Sequence, residues 1–147
     1  MARETYDDED IVRILTGTRT IAMVGASTDP SRHSHRVMEY MLSNGYRVIP
    51  VNPAAAGQLL HGETVVAGLA DIDVPFELVD VFRRRDAIPG VVDELLPLVE
   101  SRGVRTLWLQ LDLYDEESAA RARAAGLEVI MDRCLKIEFG RLLTHRN

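Results

Sequence analysis

The sequence predicts a Rossmann-like α/β fold: a doubly wound, mainly parallel five-stranded sheet with helices on both faces, in a single domain spanning residues 1–147. Three observations carry this expectation. Short apolar runs alternate with amphipathic segments along the whole chain, which is the signature of strand–helix–strand units. The runs are almost continuously apolar, as strands covered on both faces require. Glycines punctuate the segment ends, and right-handed crossovers leave few topologies open besides the doubly wound one.

The elements follow in order. "DDEDIVRILTGT" reads as a short leading helix over about residues 7–16, with acids where the helix dipole favours them and Gly17 at its end. "TIAMVG" is a buried strand. "SHRVMEYMLSNG" is a helix with Ser34 as N-cap and Gly45 just past its end. "YRVIPV" is the second strand, and the segment from Asn52 to Asp73 is a connection holding at most a short strand or turn. "FELVDVF" is the third strand. The helical stretch "DAIPGVVDELLPLVESRG" should kink or break at Pro97, which lacks the N–H its turn needs. "VRTLWLQL" is the fourth strand, "DEESAARARAAG" a helix capped by Asp115 and closed by Gly126, "LEVIMD" the fifth strand, and "CLKIEFGRLLTH" the terminal helix.

Size and charge narrow the function. At 147 residues the chain can bury one proper core. A net charge of −6 argues against broad attraction to nucleic acid or to an anionic membrane, and no apolar run reaches membrane-spanning length. The N-terminus is acidic, unlike a signal peptide, and Cys134 is the single cysteine, so a cytoplasmic location is expected.

In an open parallel sheet, ligands bind beyond the carboxyl ends of the strands. The residues there are Gly25, Ala26, Ser27 and Thr28, then Asn52 and Pro53, then Phe82, Arg83 and Arg84, then Gln110 and Leu111, then Asp132 to Cys134. Gly25 to Ser27 are small enough for backbone N–H groups to approach a phosphate ahead of a helix N-terminus. A tight strand-to-helix turn explains the same residues equally well. "DVFRRRD" says more, because guanidinium groups at a strand tip clamp phosphates bidentately. Arg83 and Arg84 are assigned that role, and Arg85 is read as a solvated turn residue. No G-x-G-x-x-G is present, and the second strand ends in Val51-Asn52 rather than an acidic residue, so the dinucleotide fingerprint is missing.

The other reactive residue types read more plainly. His33 and His35 have no partner at metal-ligand spacing, so no metal site is expected, and His61 and His145 read as isolated surface residues. Trp108 belongs to the core, with Gln110 on the same strand reaching the mouth. Cys134 is read as a small buried hydrophobe, although Arg133 and a following helix would favour a thiolate. No nucleophile–base set or Walker A motif assembles from local spacing.

"IAMVGAS", "HRVMEYMLSNGYRVIPVNP", "LVDVFRR", "WLQL" and "MDRCLKIE" occur in order, and together they resemble the small bacterial and archaeal CoA-binding proteins of the YccU type. They are also similar to the CoA-binding half of the succinyl-CoA synthetase alpha subunit. The resemblance spans about residues 10 to 140. It implies coenzyme A, free or acylated, across the strand ends. Gly25 to Thr28 would hold the phosphate-bearing part, Asn52 and Pro53 would shape the adenosine side, and Phe82 to Arg84 with Gln110 and Leu111 would line the channel. CoA carries a pyrophosphate and a ribose phosphate, which would give Arg32, Arg36, Arg83 and Arg84 partners. The chain departs from the family in having Asp112 where glycine is usual, and "ELLPLVESRG" is longer than usual.

Three functions follow as expectations. The first is a CoA- or acyl-CoA-binding protein without chemistry of its own, suggested by the absence here of the synthetase's phosphohistidine domain. The second is an acyl-CoA-handling enzyme or ligase component using Cys134 or a partner chain. The third is an NAD(P)-binding regulator. A homo-oligomer or a partner enzyme is left open.

Overall fold

The computed structural model describes residues 5–143. Its centre is a five-stranded, all-parallel sheet in the order β2-β1-β5-β6-β7, built from β1 (Thr20–Val24), β2 (Arg47–Val51), β5 (Leu78–Val81), β6 (Thr106–Leu109) and β7 (Glu128–Ile130). The Rossmann-like expectation is met. The chain runs from β1 outward to β2, then returns to the other side of β1 for β5, so strand order reverses at the β1/β5 boundary.

Nearly every strand residue is buried, which is why the sequence runs read as continuous rather than alternating. The period-2 pleat divides these side chains between two cores. Ala22, Val24, Val79, Val81, Leu107 and Leu109 pack with α3 (Ile88–Leu95) and α5 (Glu116–Ala124). Ile21, Met23, Leu78 and Trp108 pack on the opposite face with α1 (Asp8–Thr16), α2 (His33–Ser43) and α6 (Leu135–Leu142). Trp108 is fully buried and donates its indole N–H to the Arg133 carbonyl at 2.9 Å, which fixes the turn after β7.

Pro97 interrupts its helix as expected: α3 ends at Leu95, a 3-10 turn covers Leu96–Leu98, and α4 (Val99–Arg102) resumes. Asp115 caps α5 by accepting from the Ser118 N–H and hydroxyl. The start of α2 corrects the sequence reading. The helix begins at His33 with Arg32 at the N-cap, and Ser34 lies inside the first turn, buried. The long connection after β2 holds a small antiparallel hairpin, β3 (Leu59–Leu60) with β4 (Glu63–Thr64). No helix among the described residues is long and apolar enough to cross a membrane. The expected end of the terminal helix at His145 lies outside the described residues.

Candidate functional site

The strand tips at the β1/β5 reversal open into a cavity of about 660 Å³, the position where open α/β sheets bind ligands. Gly25 and Ser27 line it from the β1 turn, Asn52 and Pro53 from the β2 tip, Phe82 and Arg83 from β5, and Gln110 and Leu111 from β6. Arg32 lies at the N-cap of α2. Nine of the sequence-derived candidates therefore surround one space. His33, Ser34, Ala54 and Leu113 join them, and none of these four was singled out from sequence as a binding residue. The Arg32-His33-Ser34 turn was within reach, since a helix N-terminus after a phosphate-type loop is itself a signal.

Four candidates stand elsewhere. Ala26 is buried in the α2-side core, and its carbonyl accepts from the Asn52 side-chain amide at 2.8 Å. Thr28 faces solvent. Arg36 is exposed one turn beyond Arg32, where its charge helps to depress the His33 pKa. Arg84 points outward with 88% of its side chain accessible and pairs with Asp86 at 3.5 Å. The physical reason is the extended backbone after β5, which sends successive side chains to opposite sides. Arg83 turns inward and Arg84 outward.

The loop geometry explains the residue types. Gly25 has φ 87°, and a Cβ there would stand 2.0 Å from the Phe82 carbonyl oxygen, so only glycine lets β1 leave the sheet beside β5. Its N–H donates to the Val51 carbonyl at 2.9 Å, and the Phe82 N–H donates to Val24 at 2.8 Å, which extends the ladder past the strands. Asn52 braces the mouth: its Nδ2 donates to Ala26, and its Oδ1 accepts from the Ala54 N–H at 3.0 Å. One N–H and one lone pair of its amide are thus engaged in bracing the turn.

The electrostatics are one-sided. Among the described residues, two arginines and a histidine line the cavity and no carboxylate does, in a chain of net charge −6. Arg32 and Arg83 make no ion pair among the described residues. The first turn of α2 has no acidic residue and no side-chain cap, so its N–H groups remain available to an anion. Burial, helped by Arg36 and Lys136, holds the His33 pKa below its usual value, which favours its neutral imidazole. His33 Nε2 lies 3.6 Å from the Cys134 Sγ, and its ring meets Phe82 edge-on at 5.9 Å.

Two buried polar groups, one just past β6 and one on β5, have no hydrogen-bond partner among the described residues. Gln110 is 5% exposed, lines the cavity, and leaves both Oε1 and Nε2 without a hydrogen bond. Such a group is costly unless something else satisfies it. Asp80 is fully buried on β5 between Met23 and Trp108, with neither carboxylate oxygen bonded. Burial pushes its pKa well above the ordinary carboxylate value, so it is the neutral acid that fits this apolar face. On the neighbouring turn, Asp132 accepts from the Asp112 N–H and the Tyr114 hydroxyl, both at 2.6 Å. Asp112 has φ 68°, the left-handed conformation that glycine adopts most readily and aspartate tolerates.

The chain is similar to known proteins over most of its length. The family model for the CoA binding domain matches residues 19–140. The Bacillus subtilis (strain 168) protein YneT, itself uncharacterized, is 39% identical over 128 residues, covering 87% of this chain and 90% of its own. The solved structure of a Thermus thermophilus protein, cell-free ID.343, superposes with a TM-score of 0.88 at 38% identity, covering 94% of this chain and all of that one. A dinucleotide-forming acetyl-coenzyme A synthetase 1 from Ca. Korarchaeum cryptofilum matches with a TM-score of 0.60 at 26% identity, over 75% of this chain but only 25% of its own. A domain model covering most of the chain, together with a relative matched over 90% of its own length at this identity, decides the assignment: the chain belongs to the CoA binding domain family.

Proposed function

We propose that the protein binds coenzyme A or an acyl-CoA in the cavity at the β1/β5 reversal and performs no chemistry on it unaided. The observation that carries this reading is the cavity wall, which holds Arg32, Arg83 and an uncapped helix N-terminus and, among the described residues, has no carboxylate, within an acidic chain. That composition suits a ligand with several phosphates. The orphaned Gln110 amide offers two N–H donors and an acceptor oxygen, which match the amides and the adenine edge of CoA. A nicotinamide dinucleotide fits less well, because the tip of β2 presents Asn52, already engaged, where an acid would take the ribose hydroxyls. Family membership points to the same ligand.

A second reading, acyl-CoA handling, is favoured by one contact: the Cys134 thiol beside the cavity-lining His33. The thiol is 1% exposed and its neighbour is a neutral imidazole, an arrangement suited to packing rather than to a thiolate nucleophile. Native mass spectrometry of protein purified without added ligand tests the binding reading. An adduct of the mass of CoA or an acyl-CoA supports it and identifies the acyl group. A nicotinamide dinucleotide adduct in its place contradicts it.

A further inference from the structure

Away from the cavity, α2 and the β3–β4 hairpin bring three ligating side chains together. His35 and Glu39 lie one helical turn apart, so they project from the same face of α2. His61 sits in the turn of the hairpin, at φ 49°, a left-handed conformation that sets where its imidazole points. The hairpin is anchored to the sheet by a salt bridge from Arg47 of β2 to Glu63 at 2.7 Å and by the Val51–Val66 bridge. The two imidazole rings are 4.6 Å apart at 56°, the His61 Nε2 is 3.8 Å from a Glu39 carboxylate oxygen, and one donor atom from each of the three residues lies within 4.8 Å of the others.

We propose that His35, Glu39 and His61 form a binding site for a borderline divalent first-row cation of the zinc type. Two imidazoles and one carboxylate are the donor set such ions prefer. Tetrahedral coordination at about 2.0–2.1 Å sets the donors about 3.3 Å apart, so the three groups must draw in by roughly 1.5 Å or less from the 4.8 Å limit. Glu39 is an exposed side chain and His61 stands on a surface turn, so both have the rotational freedom to close, while buried His35 supplies the fixed point. Water would complete the shell. The ion would clip α2, whose N-terminus opens into the cavity, to the hairpin that follows the Asn52–Pro53 wall. The proposal is independent of which ligand the cavity holds. Sequence spacing conceals the site because its third ligand lies 26 residues beyond the first on a separate element.

The test is calorimetric titration of tag-free, chelator-treated full chain with Zn²⁺, paired with the visible spectrum of the Co²⁺-loaded protein. Saturation near one equivalent is expected, with cobalt bands of a low-coordinate nitrogen–oxygen site and a raised melting temperature. His61→Gly keeps the left-handed turn and Glu39→Gln changes an exposed side chain, so both variants should fold, which their metal-free melting curves verify. Each should weaken binding at least about tenfold. Cys134→Ser should leave it unchanged. Absence of saturable binding in the wild type overturns the proposal, as does binding that either ligand variant leaves intact.

Discussion

Replacing Gln110 with methionine should make the empty protein more stable and the bound protein weaker. The side chain is 5% exposed, and both of its polar atoms lack partners among the described residues. Methionine has nearly the same length and shape without the amide, so the change removes an unsatisfied group and leaves the packing in place. An uncompensated buried polar group costs about 1–3 kcal/mol on protein scales. For a domain of this size, about 3 °C of melting temperature corresponds to each kcal/mol, so the midpoint of the empty protein should rise by roughly 3–9 °C. The same amide is assigned a hydrogen bond to CoA, with a net worth of about 0.5–1.5 kcal/mol, so the dissociation constant should increase by roughly 2–12-fold. Thermal melts with and without CoA, read beside a calorimetric titration, measure both effects. A variant that melts lower when empty and binds CoA as tightly as wild type would refute the reasoning, because Gln110 would then be a structural residue with a role in the folded core.

Three further outcomes follow from the same geometry. Burial raises the folded pKa of Asp80 well above its unfolded value of 3.8, so above that pH the unfolded state is favoured increasingly as pH rises. Its contribution is therefore most favourable at or below that pH and declines by up to about 1.4 kcal/mol per pH unit until the raised folded value is reached. Asp80→Asn should flatten this part of the profile in denaturant melts run from pH 4 to pH 7, and an unchanged slope would contradict the assignment. Arg83→Ala should weaken CoA by about 1.5–3 kcal/mol as a lost charge-assisted phosphate bond. Arg84→Ala and Arg85→Ala should have little effect in the same titration, and a larger loss in either would show the inward and outward sides of this turn to be reversed. Incubation with CoA disulfide followed by intact-mass analysis should find no adduct on Cys134, and Cys134→Ser should bind CoA like wild type. An adduct that disappears in the variant would instead reveal a reactive thiol.

The fold was legible because its strands are buried on both faces. Runs such as "IAMV" and "LVDV" carry that burial openly, and the residues following them fall at the strand tips without further information. That is why Gly25, Asn52, Phe82 and Gln110 could be placed in advance. What the chain does within a turn was less accessible. Arg83 and Arg84 are indistinguishable as letters, and only the extended backbone after β5 sends one into the cavity and the other to Asp86. Ser34 is a good cap by type, yet the helix starts two residues earlier and buries it. Asp80 hides inside an apolar run, and nothing local shows that its carboxyl has no partner. His61 reads as isolated because its neighbours His35 and Glu39 reach it through tertiary packing of the hairpin on α2.

The central claim is that this strand-end cavity selects CoA over nicotinamide dinucleotides. Calorimetric titration of the wild-type chain with CoA, NAD and NADP in one buffer tests it most directly. CoA should bind at one site per chain and more tightly than either dinucleotide, since under the proposed reading its phosphates would face Arg32, Arg83 and the α2 N-terminus while the tip of β2 offers no acid to a ribose. NAD or NADP binding as tight as CoA, or tighter, would contradict the account.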